Sequence, residues 1–326
     1  KSPSWMPHEV VGCDMIVRAA RLIEHGKPLE VQHVELPTPA DDEVLVELAY
    51  GGVNPVDGYN AAGKVNPDGP LPRTLGAEAV GHVDGVPVIV AGYGLGSIRD
   101  GVFAEAAVVP RGALVEVPDG VTLHEAAAVG IVGLTAFSIV EVAEIEPADR
   151  VLVLAGSGSV GLAAISYAAS KGAQVWGQTT NPEKADAIVA MGAAQAVVSD
   201  AADLTAAIQA FEPTAVLDSL GGEFTPAALA ALVPRGRLVV FGTSAGPEVT
   251  IQLQPMYRKY QRILGFGSLG VSESERREGI AGALRAIADG KLRIHIGAEL
   301  GLEEVGEAFA LVAGRKVTGK VILKLR

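Results

Sequence analysis

Between Val151 and Ser170 the chain runs for 20 residues without a charge, long enough on length alone to cross a bilayer. Its middle reads Gly156-Ser157-Gly158-Ser159-Val160-Gly161, which makes a poor lipid-facing helix. A buried strand, a tight turn and a helix account for it better. A Gly-x-Gly-x-x-Gly run in that context is a phosphate cradle. The first glycine permits the turn, the second lets the backbone approach a pyrophosphate, and the third lets helix and strand pack closely. The helix start adds N–H groups and the positive end of its dipole. Glycine is abundant, 40 of 326 residues, so spacing alone matches easily and the strand–helix context carries the reading.

The surroundings agree. From Arg150 to Gly267 short apolar runs alternate with helical stretches. Strand candidates are Val151–Ala155, Gln174–Gln178, Ala196–Ser199, Ala215–Asp218, Arg237–Gly242 and Arg262–Gly267. Strands apolar on both faces, joined by crossovers, belong to a parallel sheet covered on both sides. Six of them fit a doubly wound dinucleotide domain. Before residue 122 the pattern differs. Val44, Val46 and Leu48 alternate with polar neighbours, and Val86–Val90, Val102–Pro110 and Ala113–Val117 follow between Gly/Pro/Asp turns, as in an antiparallel barrel or sandwich. Thr122-Leu-His-Glu125 has capping-box form and opens an apolar stretch read as one long helix to about Ala143. His124, in its first turn, reads as a surface residue. Ser272-Glu-Ser-Glu275 caps another helix, and a strand-like run over Leu292–Leu300, a helix from Leu302 and a strand at Lys320–Leu325 close the chain. The expected organisation is a tail over 1–14, one domain from 15–124 and 268–326, and a dinucleotide domain over 125–267.

Charge excludes several partners. The formal net charge is −12, with no Lys/Arg run, so the chain lacks the footprint of a nucleic-acid binder or of a protein seated on an anionic membrane. The first residues lack the apolar core of a signal peptide. The single cysteine, Cys13, rules out an intrachain disulfide and cysteine-rich zinc sites, and fits a reducing, cytoplasmic setting. The six histidines are scattered without a His-x-x-x-His pair, so no metal site is expected.

The end of the second strand of the dinucleotide domain speaks to the cofactor. An NAD site usually places an acid there, against the ribose 2′-hydroxyl. This chain reads Gln178-Thr179-Thr180-Asn181-Pro182-Glu183-Lys184. Hydroxyls, an amide and a lysine one turn on would welcome a 2′-phosphate, so NADPH is the expected cofactor. Lys184 also reads as an ordinary solvated residue.

Beyond these local signals, an ordered set of motifs resembles a family. It comprises Gly52-Val53-Asn54-Pro55-Val56-Asp57, Leu75-Gly76-Ala77-Glu78-Ala79-Val80-Gly81, Gly133-Leu134-Thr135-Ala136-Phe137, the glycine loop, Asp218-Ser-Leu-Gly-Gly222, Gly236-Arg237, Phe241-Gly242 and Gly319-Lys320-Val321-Ile322-Leu323. Together they look like the medium-chain dehydrogenase/reductase superfamily, and within it the zinc-free quinone oxidoreductase branch, over nearly the whole chain from Met15. The resemblance implies a GroES-like catalytic domain, a Rossmann domain and an active site in the cleft between them. It places Asn54 and Thr135 near the nicotinamide, with Gly242, Thr243, Phe266, Gly267 and Ser268 beside that half of the cofactor. The residues Gly156, Ser157, Gly158, Ser159, Val160 and Gly161 would hold the pyrophosphate, and Thr179, Thr180 and Lys184 the 2′-phosphate. It also implies a homodimer with the sheets paired edge to edge near the sixth strand.

The departures narrow the chemistry. Zinc alcohol dehydrogenases of this superfamily carry a cysteine before an acid and a Gly-His-Glu; here those places read Asn54-Pro55-Val56-Asp57 and Gly76-Ala77-Glu78. Enoyl-thioester reductases often carry a Gly-x-Tyr where this chain has Gly63-Lys64-Val65. Reducing a simple ketone builds alkoxide charge that zinc can take as a Lewis acid. A quinone or activated alkene spreads that charge over its own conjugation, so hydride transfer from NADPH to such a small-molecule acceptor is the expected reaction. Tyr59 and Tyr93 are the candidate hydroxyls for proton donation or substrate contact, although each also reads as a packing or loop residue. Asp57 reads equally as a turn residue, and Glu78 as structural. The loop Gly92–Gly101 looks like that of acryloyl-CoA-reductase-like members, which keeps an enoyl-thioester reductase as an alternative. A non-catalytic NADPH-binding protein is an alternative of another class.

Overall fold

The computed structural model of the protein describes residues 15–326; the tail read over 1–14 lies outside the described residues. The chain opens with β1 (Ile16–Leu22), β2 (Glu30–Glu35), β3 (Glu43–Val53), β4 (Arg73–Thr74), β5 (Glu78–Val83), β6 (Val86–Ala91), β7 (Ala106–Pro110) and β8 (Leu114–Glu116), with helix α1 (Pro55–Ala61) after β3. Helices α2 (Leu123–Ala126) and α3 (Leu134–Val142) lead into β9 (Arg150–Val153), α4 (Ser159–Ser170), β10 (Gln174–Thr179), α5 (Ala185–Ala190), β11 (Gln195–Val198), α6 (Ala201–Ile208), β12 (Ala215–Asp218), α7 (Phe224–Ala231), β13 (Arg237–Val240), α8 (Leu253–Arg258) and β14 (Arg262–Gly265). Helix α9 (Glu273–Ala288), β15 (Ile296–Gly301), α10 (Val305–Ala313) and β16 (Lys320–Lys324) complete it.

Two compact units result. One holds the chain up to Ile131 with Ser272–Leu284 and Ile296–Arg326; the other holds Val132–Val271 and Arg285–His295. In the first, β15-β16-β3-β5-β6-β8 form one sheet with β7 also on β3, and β2-β1-β4 form a second. All pairings there are antiparallel except the parallel β15–β16 pair. Alternation sets the inward face of β3, where Val46 and Leu48 are fully buried and Glu47 between them is exposed. These join Leu75, Val88, Val90, Phe103 and Leu323 in one apolar core.

The second unit carries a six-stranded parallel sheet in the order β11-β10-β9-β12-β13-β14. Numbered within the unit, that is the 3-2-1-4-5-6 order of a doubly wound nucleotide fold. Burial explains the placement of the strands. Central β12 is buried along its whole length and β9 is buried after Arg150, whereas edge strands β11 and β14 keep exposed positions. Strands apolar on both faces belong in the middle, under helices on either side. The mixed α/β class expected from the sequence, with a Rossmann-type parallel sheet and an antiparallel unit, is the observed one.

Two local expectations need correction. The apolar stretch after Thr122 is not one helix to Ala143. Thr122 does cap α2, with its Oγ1 accepting from the Glu125 N–H at 3.2 Å and Glu125 Oε2 accepting from the Thr122 N–H at 2.9 Å. The helix then widens into a π turn over Val129–Gly133 before α3 begins. The cause is Glu78, whose Oε2 accepts the Ile131 N–H at 2.8 Å. A side chain inserted into the helical ladder is a recognised cause of such a bulge. The second correction concerns Arg285–His295, expected with the first domain. It belongs to the second unit because the Arg293 N–H donates to Ser166 Oγ at 2.9 Å and its guanidinium to the Ala190 carbonyl at 3.1 Å.

Candidate active site

In the second unit the glycine loop lies at the carboxyl end of β9, where the strand order reverses between β9 and β12. Ligands of open α/β sheets bind at such a switch point. Ala155 turns the chain with φ +49°. Three glycines then do different things. A Cβ on Gly156 would stand 3.0 Å from the Gly177 Cα on the neighbouring strand, and one on Gly161 only 2.5 Å from the Ala155 carbonyl oxygen. Gly158 meets nothing closer than 3.3 Å and is exposed; it is the N-cap of α4, and no side chain caps that helix. Two glycines therefore serve packing, while the third leaves the helix start open to an anion, as phosphate cradles require.

The strand end beside the loop is tied to it by buried polar groups. Gln178, buried, accepts the Ala155 N–H at 3.0 Å and donates to the Ser199 carbonyl at 2.6 Å. It thus links the ends of three neighbouring strands, a role its sequence position did not reveal. Thr179 is buried too, and its Oγ1 lies 3.1 Å from Ser157 Oγ and accepts the Asn181 N–H at 3.2 Å. Its hydroxyl is engaged inside the protein, which leaves Thr180, exposed, and Lys184, half-buried, as the candidates at this end. Lys184 ends a 3-10 turn, Pro182–Lys184, begun by Asn181, whose side chain accepts the Glu183 N–H at 2.9 Å. Partial burial lowers the Lys184 ammonium below its ordinary value.

Across the switch point, Asp218 shapes the next loop. Fully buried, it accepts the Leu220 N–H at 2.8 Å, the Gly221 N–H at 3.1 Å and the Thr225 hydroxyl at 2.5 Å. Gly221 and Gly222 take φ of +67° and +50°. The segment after β13 packs on them: Ala245 N–H donates to the Leu220 carbonyl at 2.7 Å, and a Cβ on Gly242 would lie 2.9 Å from the Ser219 oxygen. Gly242 and Thr243 are thereby fixed against the loop after β12. Phe266, Gly267 and Ser268 follow β14, with the Phe266 N–H on the Val240 carbonyl at 2.9 Å. Thr135 is buried in the first turn of α3.

In the first unit the Asn-Pro-x-Asp and Gly-x-Glu motifs meet in a buried polar cluster. Asn54, Asp57, Glu78 and Lys320 are each at most 4% exposed. The Lys320 ammonium lies 2.6 Å from Asn54 Oδ1 and 2.7 Å from Glu78 Oε1. Asn54 Nδ2 donates to Glu78 Oε1 and to the Gly52 carbonyl, both at 2.8 Å. Asp57 accepts the N–H of Asn54 at 2.8 Å and of Ala77 at 3.0 Å, so it joins the two motifs through the backbone. Burial pushes the Asp57 carboxyl up to about 7, against those two N–H bonds and the nearby Lys320 charge. Sequence reasoning read Glu78 as structural and gave Lys320 no role. A lysine at the start of an apolar strand was the signal available, but its partners lie on distant strands.

Of the two tyrosine candidates, Tyr59 is on α1, the helix that carries Asp57, and is 52% exposed. Tyr93 has φ +53°, its N–H donates to Glu273 at 3.1 Å, and a Cβ on Gly112 would lie 2.0 Å from its hydroxyl. Its ring packs against the first unit's core, as a loop residue would.

The zinc positions of dehydrogenases hold an amide and a methyl group, Asn54 and Ala77, and the adjoining carboxylate, Glu78, is already neutralised by an ammonium. These residues do not fit zinc, which takes thiolate, imidazole and carboxylate ligands. Among the described residues no group of three His, Cys, Asp or Glu side chains could hold a metal ion. Nor is any described helix long and apolar enough to cross a membrane.

Several known proteins share this fold. The zinc-binding dehydrogenase family profile matches residues 159–287. A quinone oxidoreductase of Pseudomonas aeruginosa is 30% identical over 317 residues, covering 92% of this chain and 97% of the relative. The quinone oxidoreductase of Thermus thermophilus, whose structure was determined with and without NADPH, superposes with a TM-score of 0.82 at 29% identity over 94% of this chain and 100% of its own. A thermostable alcohol dehydrogenase of Pyrobaculum aerophilum, solved with cobalt and zinc bound, gives a TM-score of 0.81 at 25% identity, over 95% of this chain and 100% of that one.

Proposed function

Because the chain belongs to the medium-chain dehydrogenase/reductase superfamily, in its quinone oxidoreductase branch, we propose that it is an NADPH-dependent oxidoreductase that passes hydride to a quinone or an activated alkene without zinc. The observation that carries this reading is the pairing of an uncapped α4 start behind Gly158 with an acid-free strand end at Thr179-Thr180-Asn181. Gly156, Ser157, Gly158, Ser159, Val160 and Gly161 bind the pyrophosphate, chiefly through backbone N–H groups. Thr180 and Lys184 take the 2′-phosphate, with Thr179 holding the strand end to the loop. Gly242, Thr243, Phe266, Gly267, Ser268 and Thr135 belong to the nicotinamide end, and the family resemblance assigns Asn54 to the nicotinamide as well. Bound NADPH supplies the hydride.

The chain's own contribution is then binding, orientation and exclusion of water. No cation is offered to a developing alkoxide by Asn54 or Ala77, which suits an acceptor that delocalises the incoming charge. The relatives named for quinones support that acceptor class. A homodimer is part of the same reading: edge strand β14 is incompletely covered, and Leu253, Tyr257 and Tyr260 nearby are each more than 60% exposed. Light scattering that finds a monomer at micromolar concentration refutes that part.

One observation favours a second acceptor class. The Gly92–Gly101 loop, similar to that of acryloyl-CoA reductases, packs tightly on the Gly76 motif; a Cβ on Gly101 would sit 2.4 Å from the Gly76 oxygen. The deciding experiment is NADPH oxidation across simple quinones, 2-alkenals and acryloyl-CoA. Turnover of quinones or alkenals supports the first reading, turnover of acryloyl-CoA alone supports the second, and binding without turnover of any refutes both.

A further inference from the structure

We propose that Lys320 is a positioning residue that clamps the Asn54 side-chain amide, so that Asn54 presents to the reactants a hydrogen-bond acceptor and no donor. An amide side chain has two N–H donors and two acceptor lone pairs. Both Asn54 donors are used inside the protein, on the Gly52 carbonyl and on Glu78 Oε1, each at 2.8 Å. One lone pair of Oδ1 takes the Lys320 ammonium at 2.6 Å. A single lone pair on Oδ1 is left. Turning the amide over would set Oδ1 against two acceptors and Nδ2 against an ammonium, so the cluster admits one orientation. Glu78 is itself held, by Lys320 at 2.7 Å and the Ile131 N–H at 2.8 Å. The group that Asn54 can recognise is therefore a hydroxyl or amide donor of the bound cofactor or acceptor, and never a developing oxyanion.

The catalytic half of this inference rests on the assignment of Asn54 to the nicotinamide end; the clamp itself does not. The test compares Glu78→Gln with Glu78→Gln/Lys320→Met. In Glu78→Gln the ammonium remains to bond Asn54 but has lost the carboxylate bonded to it at 2.7 Å, leaving the Asp57 carboxyl as its acidic neighbour. In the double variant the ammonium itself is gone, and Oδ1 has lost its donor. The clamp therefore expects stability and catalysis to move in opposite directions: the double variant is the more stable of the two, while its kcat falls about 10- to 100-fold below that of Glu78→Gln at an unchanged KM for NADPH, as misplacement of a positioned group does. A purely structural cluster would raise both together.

A readout independent of turnover is hydrogen exchange of the side-chain amides in 15N-asparagine-labelled protein. The chain has only four asparagines, Asn54, Asn60, Asn66 and Asn181, so the Asn54 pair is assigned by its loss in Asn54→Ala. Exchange of that pair at least tenfold faster in the double variant than in Glu78→Gln is the expected result. Exchange within twofold in the two variants overturns the clamp. If neither folds, Lys320→Met measured against the wild type reads the same exchange difference. Wild-type protein that turns over no quinone or alkene, but shows the exchange difference, refutes the functional reading and leaves the clamp standing.

Discussion

Replacing Arg237 by methionine should unlatch the end of the sheet remote from the cofactor loop. Arg237 starts β13, and its guanidinium embraces Asp149 with two bonds, 2.9 Å to Oδ1 and 2.5 Å to Oδ2. It also donates to the carbonyls of Ala143 and of Glu144, just past the end of α3. Asp149 in turn accepts the Thr214 hydroxyl at 2.7 Å and the Glu146 N–H at 2.8 Å. One cluster thereby joins the end of α3 to the amino ends of β9, β12 and β13. Both partners are less than 10% exposed. Burial alone would raise the Asp149 carboxyl, but the bonds from Arg237 and Thr214 outweigh it and hold the group below the usual carboxylate range.

Methionine keeps the packing volume and leaves Asp149 buried with two neutral donors and no counter-charge. Removing one partner of a buried pair costs about 3–5 kcal/mol. At about 2–4 °C per kcal/mol for a unit of this size, the melting midpoint of the second unit should fall by about 6–20 °C. The loop at Gly156–Gly161 lies at the opposite, carboxyl ends of the strands, so the folded variant should keep its affinity for NADPH. Saturation at 100 times Kd should still add about 2.7 kcal/mol. The assay is thermal unfolding at pH 7 with and without NADPH, together with Arg237→Met/Asp149→Leu, which removes the stranded charge and should lose clearly less than the single variant. A loss under about 1 kcal/mol for Arg237→Met, or a double variant no better than the single, would refute the reasoning.

Three further outcomes are expected. Gly161→Ala should abolish NADPH binding and destabilise the fold, since its Cβ would stand 2.5 Å from backbone oxygen, whereas Gly158→Ala, at 3.3 Å, should fold normally and weaken NADPH binding alone; calorimetric titration and thermal melts separate the two. Lys184→Ala should raise KM for NADPH by about 10- to 100-fold, the loss of one charge-assisted bond of about 1.5–3 kcal/mol, and leave KM for NADH nearly unchanged; equal effects on both would show that the strand end is misread. Asp57 sets a pH dependence: the folded chain keeps its proton to about pH 7, while an unfolded chain sheds it near 3.8. The folded state thus binds the extra proton between those values, and its contribution to stability falls as pH rises from about 4 to 7 and is flat above. The midpoint of the wild type relative to that of Asp57→Asn should fall with rising pH across that window; a constant difference would show that Asp57 is ionised throughout.

What the sequence determined by itself is what short-range physics governs. The parallel sheet follows from apolar runs between crossovers, the caps at Thr122 and Ser272 from residues three positions apart, and the phosphate loop from glycines within six residues of one another. Each depends on neighbours along the chain, so it was legible in order. The buried cluster of Asn54, Asp57, Glu78 and Lys320 was not. Lys320 reaches Asn54 across 266 residues and Glu78 across 242, and only the pairing of β16 with β3 and of β3 with β5 brings them together. The same distant Glu78 breaks the helix after Thr122, an event invisible in a stretch whose local pattern reads as continuous helix. Thr179 shows the same limit on a smaller scale. Its hydroxyl looked available for a phosphate until the fold set Ser157 beside it. Buried polar groups must find partners wherever the chain provides them, and those partners are chosen by tertiary packing, because desolvation acts on position in space and is indifferent to separation in sequence.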